Sequence, residues 1–181
     1  VSNSSNTRSS GKVAGIIGRV DTGSSATITA CSNTVPITGY QYVGGIIGGQ
    51  FGSVDVSYCY NTGNLTGISF GKVYLGGISG KLHDGTISYC YNTGDLYDQH
   101  WSAGHVRAIG GIAGCEENHT VGTAISNCYT TGSISIYTGN MIYGTNWIYM
   151  LGNISGGNSS TAANTMAYEN CYYLENRIAQ A

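Results

Sequence analysis

A six-residue segment recurs five times along this chain, and its recurrence constrains the fold more than any other feature. Its clearest copy is Val43–Gly48, and the copies begin at Val13, Val43, Leu75, Ile109 and Leu151, which places them 30, 32, 34 and 42 residues apart. A second segment, clearest at Val56–Gly63, follows each copy. Repetition at such intervals is typical of architectures in which each repeat stacks on its neighbours.

Alignment of the repeats gives five columns of equivalent residues. Short runs of β-branched and aliphatic residues bounded by Gly or Asn predict strands, and helical spacing is nowhere sustained. The columns are Val13, Val43, Leu75, Ile109 and Leu151; Ile16, Ile46, Ile78, Ile112 and Ile154; Ile28, Val56, Ile87, Ile125 and Tyr168; Cys31, Cys59, Cys90, Cys128 and Cys171; and Ile37, Leu65, Leu96 and Ile134. The last column lies six residues after each Cys, where the fifth repeat has Arg177.

Spacing within each repeat predicts sharp corners. Val43 and Ile46 are three residues apart, so on a flat strand their side chains would point to opposite faces. If both are buried, the chain must bend at the Gly pair between them, and the same argument places a bend at Ser88–Tyr89. The sequence therefore predicts an all-β fold, a single β-solenoid (β-helix) of about five irregular coils.

The Gly pair also leads to a prediction about backbone conformation. Asn153 replaces the second Gly in the fifth repeat, and Asn is the residue other than Gly that best tolerates the left-handed region. We therefore expect positive φ at the equivalent positions, Gly15, Gly45, Gly77 and Gly111.

The repeats define the domain organisation. Residues 1–12 are rich in Ser and Asn and are expected to be a flexible lead-in or a partial coil, 13–173 the solenoid, and 174–181 a cap or a truncated continuation. Because the chain begins with Val1, we expect a processed form or a piece of a longer protein. Extra residues at 97–108, 115–124, 135–149 and 157–167 predict longer loops in the C-terminal half.

Composition excludes several classes of partner. Charged residues make up 9% of the chain, against about 25% in an average domain, and the net charge is −2. Without a basic patch, nucleic acid is not an expected partner. Without a run of about 18 apolar residues, no membrane span is expected.

The two repeated segments resemble the GLUG repeat family, whose pattern is a Gly-Gly-(Leu/Ile)-x-Gly stretch followed by Gly-x-(Ile/Val)-x-x-Cys-Tyr-(Asn/Ala)-Thr-Gly. The closest matches are Gly52–Gly63, with its first Gly displaced by one position, and Gly85–Gly94. Such repeats look like parts of bacterial secreted or wall-anchored proteins, including adhesin-like proteins and non-catalytic regions of IgA-cleaving metallopeptidases. The resemblance implies an extracellular or cell-wall β-solenoid and no single activity.

Five of the six Cys share one column, which leaves three readings. Equivalent residues in a parallel stack lie about 4.8 Å apart, whereas a disulfide needs Cβ atoms about 3.5–4.5 Å apart. A packed column of free thiols is therefore the favoured prediction. One or more disulfides, or a metal thiolate, are the alternatives, although no Cys-x-x-Cys motif favours metal.

Aromatic residues supply the candidate binding sites. Tyr60, Tyr91, Tyr129 and Tyr172 follow the Cys column, and self-stacking is preferred over a strip that binds a ligand. The long insertions also concentrate aromatic residues, which could bind a protein or a glycan or could cover the side of the stack. The candidate binding site comprises Tyr97, Trp101, Tyr137, Tyr143, Trp147 and Tyr149.

No catalytic constellation is evident, so we predict a non-enzyme without cofactor or metal. Cys115, Glu116, Glu117 and His119 lie close together in an inserted loop, and His100 and His105 in another, but neither set has the spacing of a metal motif. Asp95 and Asp98 are the nearest approach to a carboxylate pair.

Three functions remain open from the sequence. The first is a surface-protein module that presents loops for adhesion. The second is a fibre subunit that associates end to end, because the exposed edges of a solenoid can template further strands. The third is a carbohydrate-binding module that uses the aromatic loops.

Overall fold

The computed structural model describes residues 11–69, 71–99, 106–116, 124–136, 148–157, 167–174 and 178–180. The secondary structure of this part of the chain is entirely β, with no helix. None of it could cross a bilayer as a long apolar helix.

Twenty-four short strands are present in the described residues. The first turn contains β1 (Lys12–Ala14), β2 (Ile17–Val20), β3 (Ser25–Thr29), β4 (Ser32–Asn33) and β5 (Ile37–Gly39). The second contains β6 (Tyr42–Gly44), β7 (Ile47–Gln50), β8 (Ser53–Ser57), β9 (Tyr60–Asn61) and β10 (Leu65–Gly67). The third contains β11 (Val73–Gly76), β12 (Ser79–Leu82), β13 (Thr86–Ser88), β14 (Tyr91–Asn92) and β15 (Leu96–Asp98). The later strands are β16 (Val106–Gly110), β17 (Ala113–Glu116), β18 (Ala124–Ser126), β19 (Tyr129–Thr130), β20 (Ile134–Ile136), β21 (Ile148–Gly152), β22 (Ala167–Glu169), β23 (Tyr172–Tyr173) and β24 (Ile178–Gln180).

In the described part of the chain these strands form five parallel stacks, which together make a β-solenoid of about three turns. Each of the first three turns contributes one strand to each stack, and the described strands pair in parallel. Stack 1 contains β1, β6, β11, β16 and β21; stack 2 contains β2, β7, β12 and β17; stack 3 contains β3, β8, β13, β18 and β22; stack 4 contains β4, β9, β14, β19 and β23; stack 5 contains β5, β10, β15, β20 and β24.

Strand register confirms the columns read from the sequence. Val43 pairs with Val13 and Leu75 in stack 1, and Ile87 pairs with Val56 and Ile125 in stack 3. In stack 5 the last member differs from the prediction, because Ile178 rather than Arg177 pairs with Ile134. The segment after Cys171 is one residue longer than in earlier repeats, so counting six residues from Cys selects the wrong neighbour.

The buried apolar residues of the described chain form two main cores. Stacks 5 and 1 enclose one core, with Leu65 and Leu75 among its fully buried members. Stacks 2, 3 and 4 enclose the other, with Ile78 and Ile87 among its members. The cross-section of each turn is therefore two-lobed, with the chain passing between the lobes twice.

A narrow waist separates the two lobes. On one side lies the buried column Asn33, Asn61, Asn92 and Thr130, and on the other the column Gly15, Gly45, Gly77 and Gly111. The amide nitrogen of Asn61 donates to Gly63 O at 2.8 Å and to Asn92 Oδ1 at 2.7 Å, so the side chains form a hydrogen-bonded ladder. Buried amides of this kind require such partners.

The expected positive φ at the Gly pairs is wrong. In the described residues the Gly with positive φ are Gly23, Gly85 and Gly157. The waist positions instead lack room, because a Cβ on Gly45 would lie 2.5 Å from the Cβ of Asn61 and closer still to the carbonyl oxygen of Gly77. Close approach of two chain segments, not backbone conformation, selects Gly here.

The left-handed conformation occurs at the other predicted corner. The residue before each Cys of the fourth column has φ between 50° and 54°, and these residues are Ala30, Tyr58, Tyr89, Asn127 and Asn170. The bend predicted at Ser88–Tyr89 is confirmed. It turns the chain from stack 3 into stack 4 and directs the Cys side chain into the core.

The insertions are shorter than the sequence suggested. Tyr97 and Asp98 belong to β15, Cys115 and Glu116 belong to β17, and Tyr149 belongs to β21. Cys115 and Glu116 were expected in a loop, yet both are buried, because they continue the register of Lys81 and Leu82. The remaining residues of these insertions, 100–105, 117–123 and 137–147, lie outside the described residues.

The second column, which contains an Ile in every repeat, is fully buried only at its three middle positions. Ile46, Ile78 and Ile112 are fully buried, whereas Ile16 is 44% exposed and Ile154 is half-buried. Ile16 was expected in the core, but it belongs to the first described turn, where only one neighbouring turn of the described solenoid packs against it.

Candidate binding surface at the tyrosine corner

The corner between stacks 3 and 4, which we call the tyrosine corner, places aromatic side chains on either side of an inward-facing Cys. In the repeated sequence Ser-Tyr-Cys-Tyr-Asn, the left-handed residue and the residue after the Cys both carry exposed or half-exposed rings. Because equivalent corners stack in register, each position becomes a ladder along the solenoid.

Tyr58 and Tyr89 form the corner ladder. Their ring centroids are 5.0 Å apart with an interplanar angle of 6°, and their exposed fractions are 62% and 52%. Each ring covers one face of the other, while more than half of each residue's surface stays exposed to solvent. This ladder was not predicted from the sequence, although both residues precede Cys in the two clearest repeats.

Tyr60, Tyr91 and Tyr129 form the strand ladder. Adjacent centroids are 4.9 Å apart in both steps, and the interplanar angles are 2° and 5°. The self-stacking preferred in the sequence analysis is confirmed for these three rings. Burial between its neighbours raises the pKa of the Tyr91 phenol, with Tyr129 and Tyr60 adding to the effect.

A groove opens where the corner ladder ends. In the two repeats after Tyr89, the residue before the Cys is Asn127 and then Asn170. The side-chain amides of these two residues are hydrogen-bonded to each other at 3.2 Å. Because Asn is smaller than Tyr, a groove of about 500 Å³ forms beside the strand positions Tyr129 and Tyr172, with Cys128 at its base. The residues lining it carry no formal charge and combine aromatic surface with amide and hydroxyl groups.

The Cys column lies beneath both ladders. All six cysteines are within the described residues, and none of them is in a disulfide. Backbone N–H groups donate to the sulfur of the next turn, as from Cys59 N to Cys90 Sγ at 3.4 Å, and Cys90 Sγ donates to Ser88 O at 3.2 Å. Hydrogen bonding to the thiols of Cys128 and Cys59 raises the pKa of Cys90, which favours its protonated form.

The predicted aromatic site lies mostly beyond the described residues. Trp101, Tyr137, Tyr143 and Trp147 fall outside them, as do Glu117, His119, His100, His105 and Arg177. Tyr97 is half-buried on β15, between the buried Leu96 and Asp98, and Tyr149 pairs in register with Arg107. The structure therefore places the ends of these segments at the corner between stacks 5 and 1.

A buried ion pair anchors that corner. Arg107 Nη1 donates to both carboxylate oxygens of Asp98 at 2.8 Å, and Nη2 donates to Ser69 O at 3.1 Å. Both side chains are almost completely excluded from solvent. Asp98 is thus engaged in the buried corner. The exposed Asp95 instead accepts hydrogen bonds from the backbone and hydroxyl of Ser133, so the two carboxylates have separate partners.

Two further polar features do not join the tyrosine corner. Glu116 accepts a hydrogen bond from the hydroxyl of Tyr168, whose pKa is raised by burial and by the carboxylate. Within the described residues no group of three or more His, Cys, Asp or Glu is placed to hold a metal ion. Lys12, Arg19 and Lys81 lie over the ring of Phe51 at 5.5, 4.9 and 4.2 Å, a small basic cluster that the sequence did not reveal.

Comparison of the chain with protein-family models, with curated proteins and with solved structures found no match. The tyrosine corner is accordingly interpreted from its own geometry.

Proposed function

We propose that this chain is a non-catalytic extracellular β-solenoid module of a bacterial surface or secreted protein, and that it presents binding loops for adhesion. One observation carries the proposal: the segments that join stack 5 to stack 1 lengthen from turn to turn at one corner. They are 40–41, 68–72, 99–105 and 137–147. A rigid scaffold with long loops grouped on one side is a common arrangement for binding.

The resemblance to GLUG repeats supports the bacterial, secreted and cell-surface parts of this proposal. We further propose that the strands of 106–136 and 148–180 complete a fourth and a fifth coil, since four of the stacks in the described chain contain five strands. The segments 99–105 and 137–147 then join the third coil to the fourth and the fourth to the fifth, and each contains one Trp of the sequence.

Binding to surfaces tests the proposal directly. The fluorescently labelled chain is applied to bacterial and host cells and to immobilised matrix proteins and glycans. We expect saturable binding that the double variant Trp101→Ala/Trp147→Ala loses while its melting temperature stays near that of the parent. The matched control Val35→Ala, at an exposed site in the first turn, should bind normally.

Two results would contradict the loop-presentation proposal. Absence of saturable binding to any surface would remove the adhesive function. A large drop in the melting temperature of the double Trp variant would identify the two indoles as a cover over the solenoid side, as the sequence analysis left open.

Carbohydrate binding is a second candidate, and the uncharged groove beside Tyr89 favours it. A neutral glycan offers hydroxyl groups to the amides of Asn127 and Asn170 and C–H faces to the aromatic walls, and such mixed linings are typical of ligand sites. Asn127→Ala should weaken binding to a neutral polysaccharide in isothermal titration, and Thr62→Ala, at an exposed site outside the groove, should not. Equal affinity of both variants would reject the groove.

End-to-end association into fibres stays a prediction. It is tested by negative-stain electron microscopy across a concentration series, where filaments would support a fibre subunit and discrete short rods would support the module.

A further inference from the structure

The corner ladder holds two exposed tyrosine rings close together, which bears on their chemical reactivity. Tyr58 and Tyr89 are held in register by the pairing of β8 with β13, and Tyr58 N donates to Ser88 O at 3.2 Å. Their rings are therefore stacked at 5.0 Å in the folded chain without any diffusive encounter. More than half of each side chain is exposed, so a reagent in solution reaches both phenols.

We propose that Tyr58 and Tyr89 form an oxidative modification site, at which a heme peroxidase with hydrogen peroxide joins the two rings into dityrosine. The peroxidase removes one electron and one proton from each phenol, which gives two phenoxyl radicals and reduces one hydrogen peroxide to two waters. The radicals couple through one ortho carbon of each ring. The hydrogens on those carbons then move to the phenol oxygens, so the product differs from the parent chain by the loss of two hydrogen atoms.

Exposure distinguishes this pair from another aromatic pair in the same fold. Tyr42 and Tyr74 have the same centroid separation, 5.0 Å, but their planes are 33° apart and Tyr74 is only 6% exposed. A peroxidase or its small-molecule mediator cannot reach a buried phenol readily. The strand ladder lies between these extremes, since Tyr60 and Tyr91 are half-buried and Tyr129 is 42% exposed.

The cross-link would join two adjacent turns covalently. Tyr58 and Tyr89 belong to neighbouring turns, so the bond would close a loop that contains one complete turn of the solenoid. Closing a loop of this kind restricts the unfolded chain, as a disulfide does. The cross-linked chain should therefore unfold at a higher temperature than the untreated chain. The rings must swing toward edge-to-edge contact for the bond to form, and their exposure at the corner leaves room for that motion.

The test treats the full chain with a heme peroxidase and hydrogen peroxide over a range of protein concentrations. Dityrosine is measured by its fluorescence, and the linked residues are located by mass spectrometry of peptides. We expect an intramolecular product whose yield per chain does not depend on protein concentration and whose main cross-link joins Tyr58 to Tyr89. Hydrogen peroxide without the enzyme should give no such product.

Matched variants make the result decisive. Tyr58→Phe and Tyr89→Phe keep a stackable ring and should lose most of the product, whereas Tyr42→Phe should retain it. Circular dichroism and melting of each variant check that the fold persists. A product found only between chains, a main cross-link at another pair, or an undiminished yield in folded Tyr58→Phe would each overturn the assignment.

Discussion

The ion pair between Asp98 and Arg107 makes the sharpest test of how this solenoid is stabilised. In the preceding turn the equivalent positions are Gly67 and Val73, because Asp98 pairs with Gly67 and Arg107 with Val73. An added Cβ on Gly67 would lie 2.9 Å from Val73 Cγ1, so the Gly and the Val fit each other. At the same corner, one turn therefore has a buried ion pair and the preceding turn has an apolar contact.

Arg107→Val should destabilise the protein strongly. It leaves the Asp98 carboxylate buried without its two hydrogen bonds from Nη1, and removing one partner of a buried ion pair costs about 3–5 kcal/mol. That loss is a large part of the roughly 5–15 kcal/mol that stabilises a typical domain. The double variant Asp98→Gly/Arg107→Val copies the neighbouring turn and should recover most of the loss.

Urea unfolding of the parent, the two single variants and the double variant provides the assay. Together they form a double-mutant cycle that isolates the coupling between the two residues. A loss below about 1 kcal/mol for Arg107→Val, which is the range of exposed ion pairs, would refute the reasoning. So would a double variant as unstable as Arg107→Val, because then the apolar pair does not fit this corner.

Three other predictions follow from the stacks. Ile78→Asp should prevent stable folding, because an unpaired charge in the core costs several kcal/mol. Ile16→Asp in the same column should be tolerated, and equal melting temperatures of the two variants would contradict the prediction. Gly45→Ala should abolish the native circular dichroism spectrum. Gly71→Ala should keep it, because a Cβ there would meet only Ser69 Oγ at 3.5 Å. A folded Gly45→Ala protein would show that the waist can widen. Ala30→Gly should raise stability by up to about 1 kcal/mol in thermal melts, because φ is 53° there and this region is unfavourable for residues with a Cβ; a lower melting temperature would argue against strain.

The sequence predicted most of the stacked core for a simple reason. In-register parallel stacking places each residue against its counterpart one repeat away, so aligning the repeats against each other yields true neighbours such as Val43 and Leu75. Where a repeat contains an extra residue, the same procedure gives Arg177 instead of Ile178. Sequence alignment without spatial information cannot decide which side of an insertion keeps the register.

The conformational role of Gly was harder to predict. Gly45 is required because Asn61 lies close, whereas Gly85 has φ of 105°, and nothing in the residues beside each Gly distinguishes the two reasons. The partner across the waist comes from a different part of the turn, so no local pattern reveals it.

The candidate surface was predicted only in part. Stacking of Tyr60 on Tyr91 follows from their shared column, but exposure of Tyr58 and Tyr89 depends on the left-handed corner that precedes each Cys. Five residues share this conformation, and none of them is Gly, so composition gave no signal for it. The burial of Asp98, which falls in the predicted loop 97–108, is hidden for a similar reason, because its partner Arg107 lies nine residues further along the chain.

The parallel stacks also determine how the molecule would respond to a pulling force. Hydrogen bonds between turns run along the solenoid axis, so tension between its ends would detach one terminal turn at a time. Each turn occupies about 4.8 Å of axis when folded but contains 32 residues between Val43 and Leu75, which extend to roughly 100 Å. A short rod of this design would behave as an extensible tether, lengthening in steps of one turn while the turns that remain folded keep their surfaces intact.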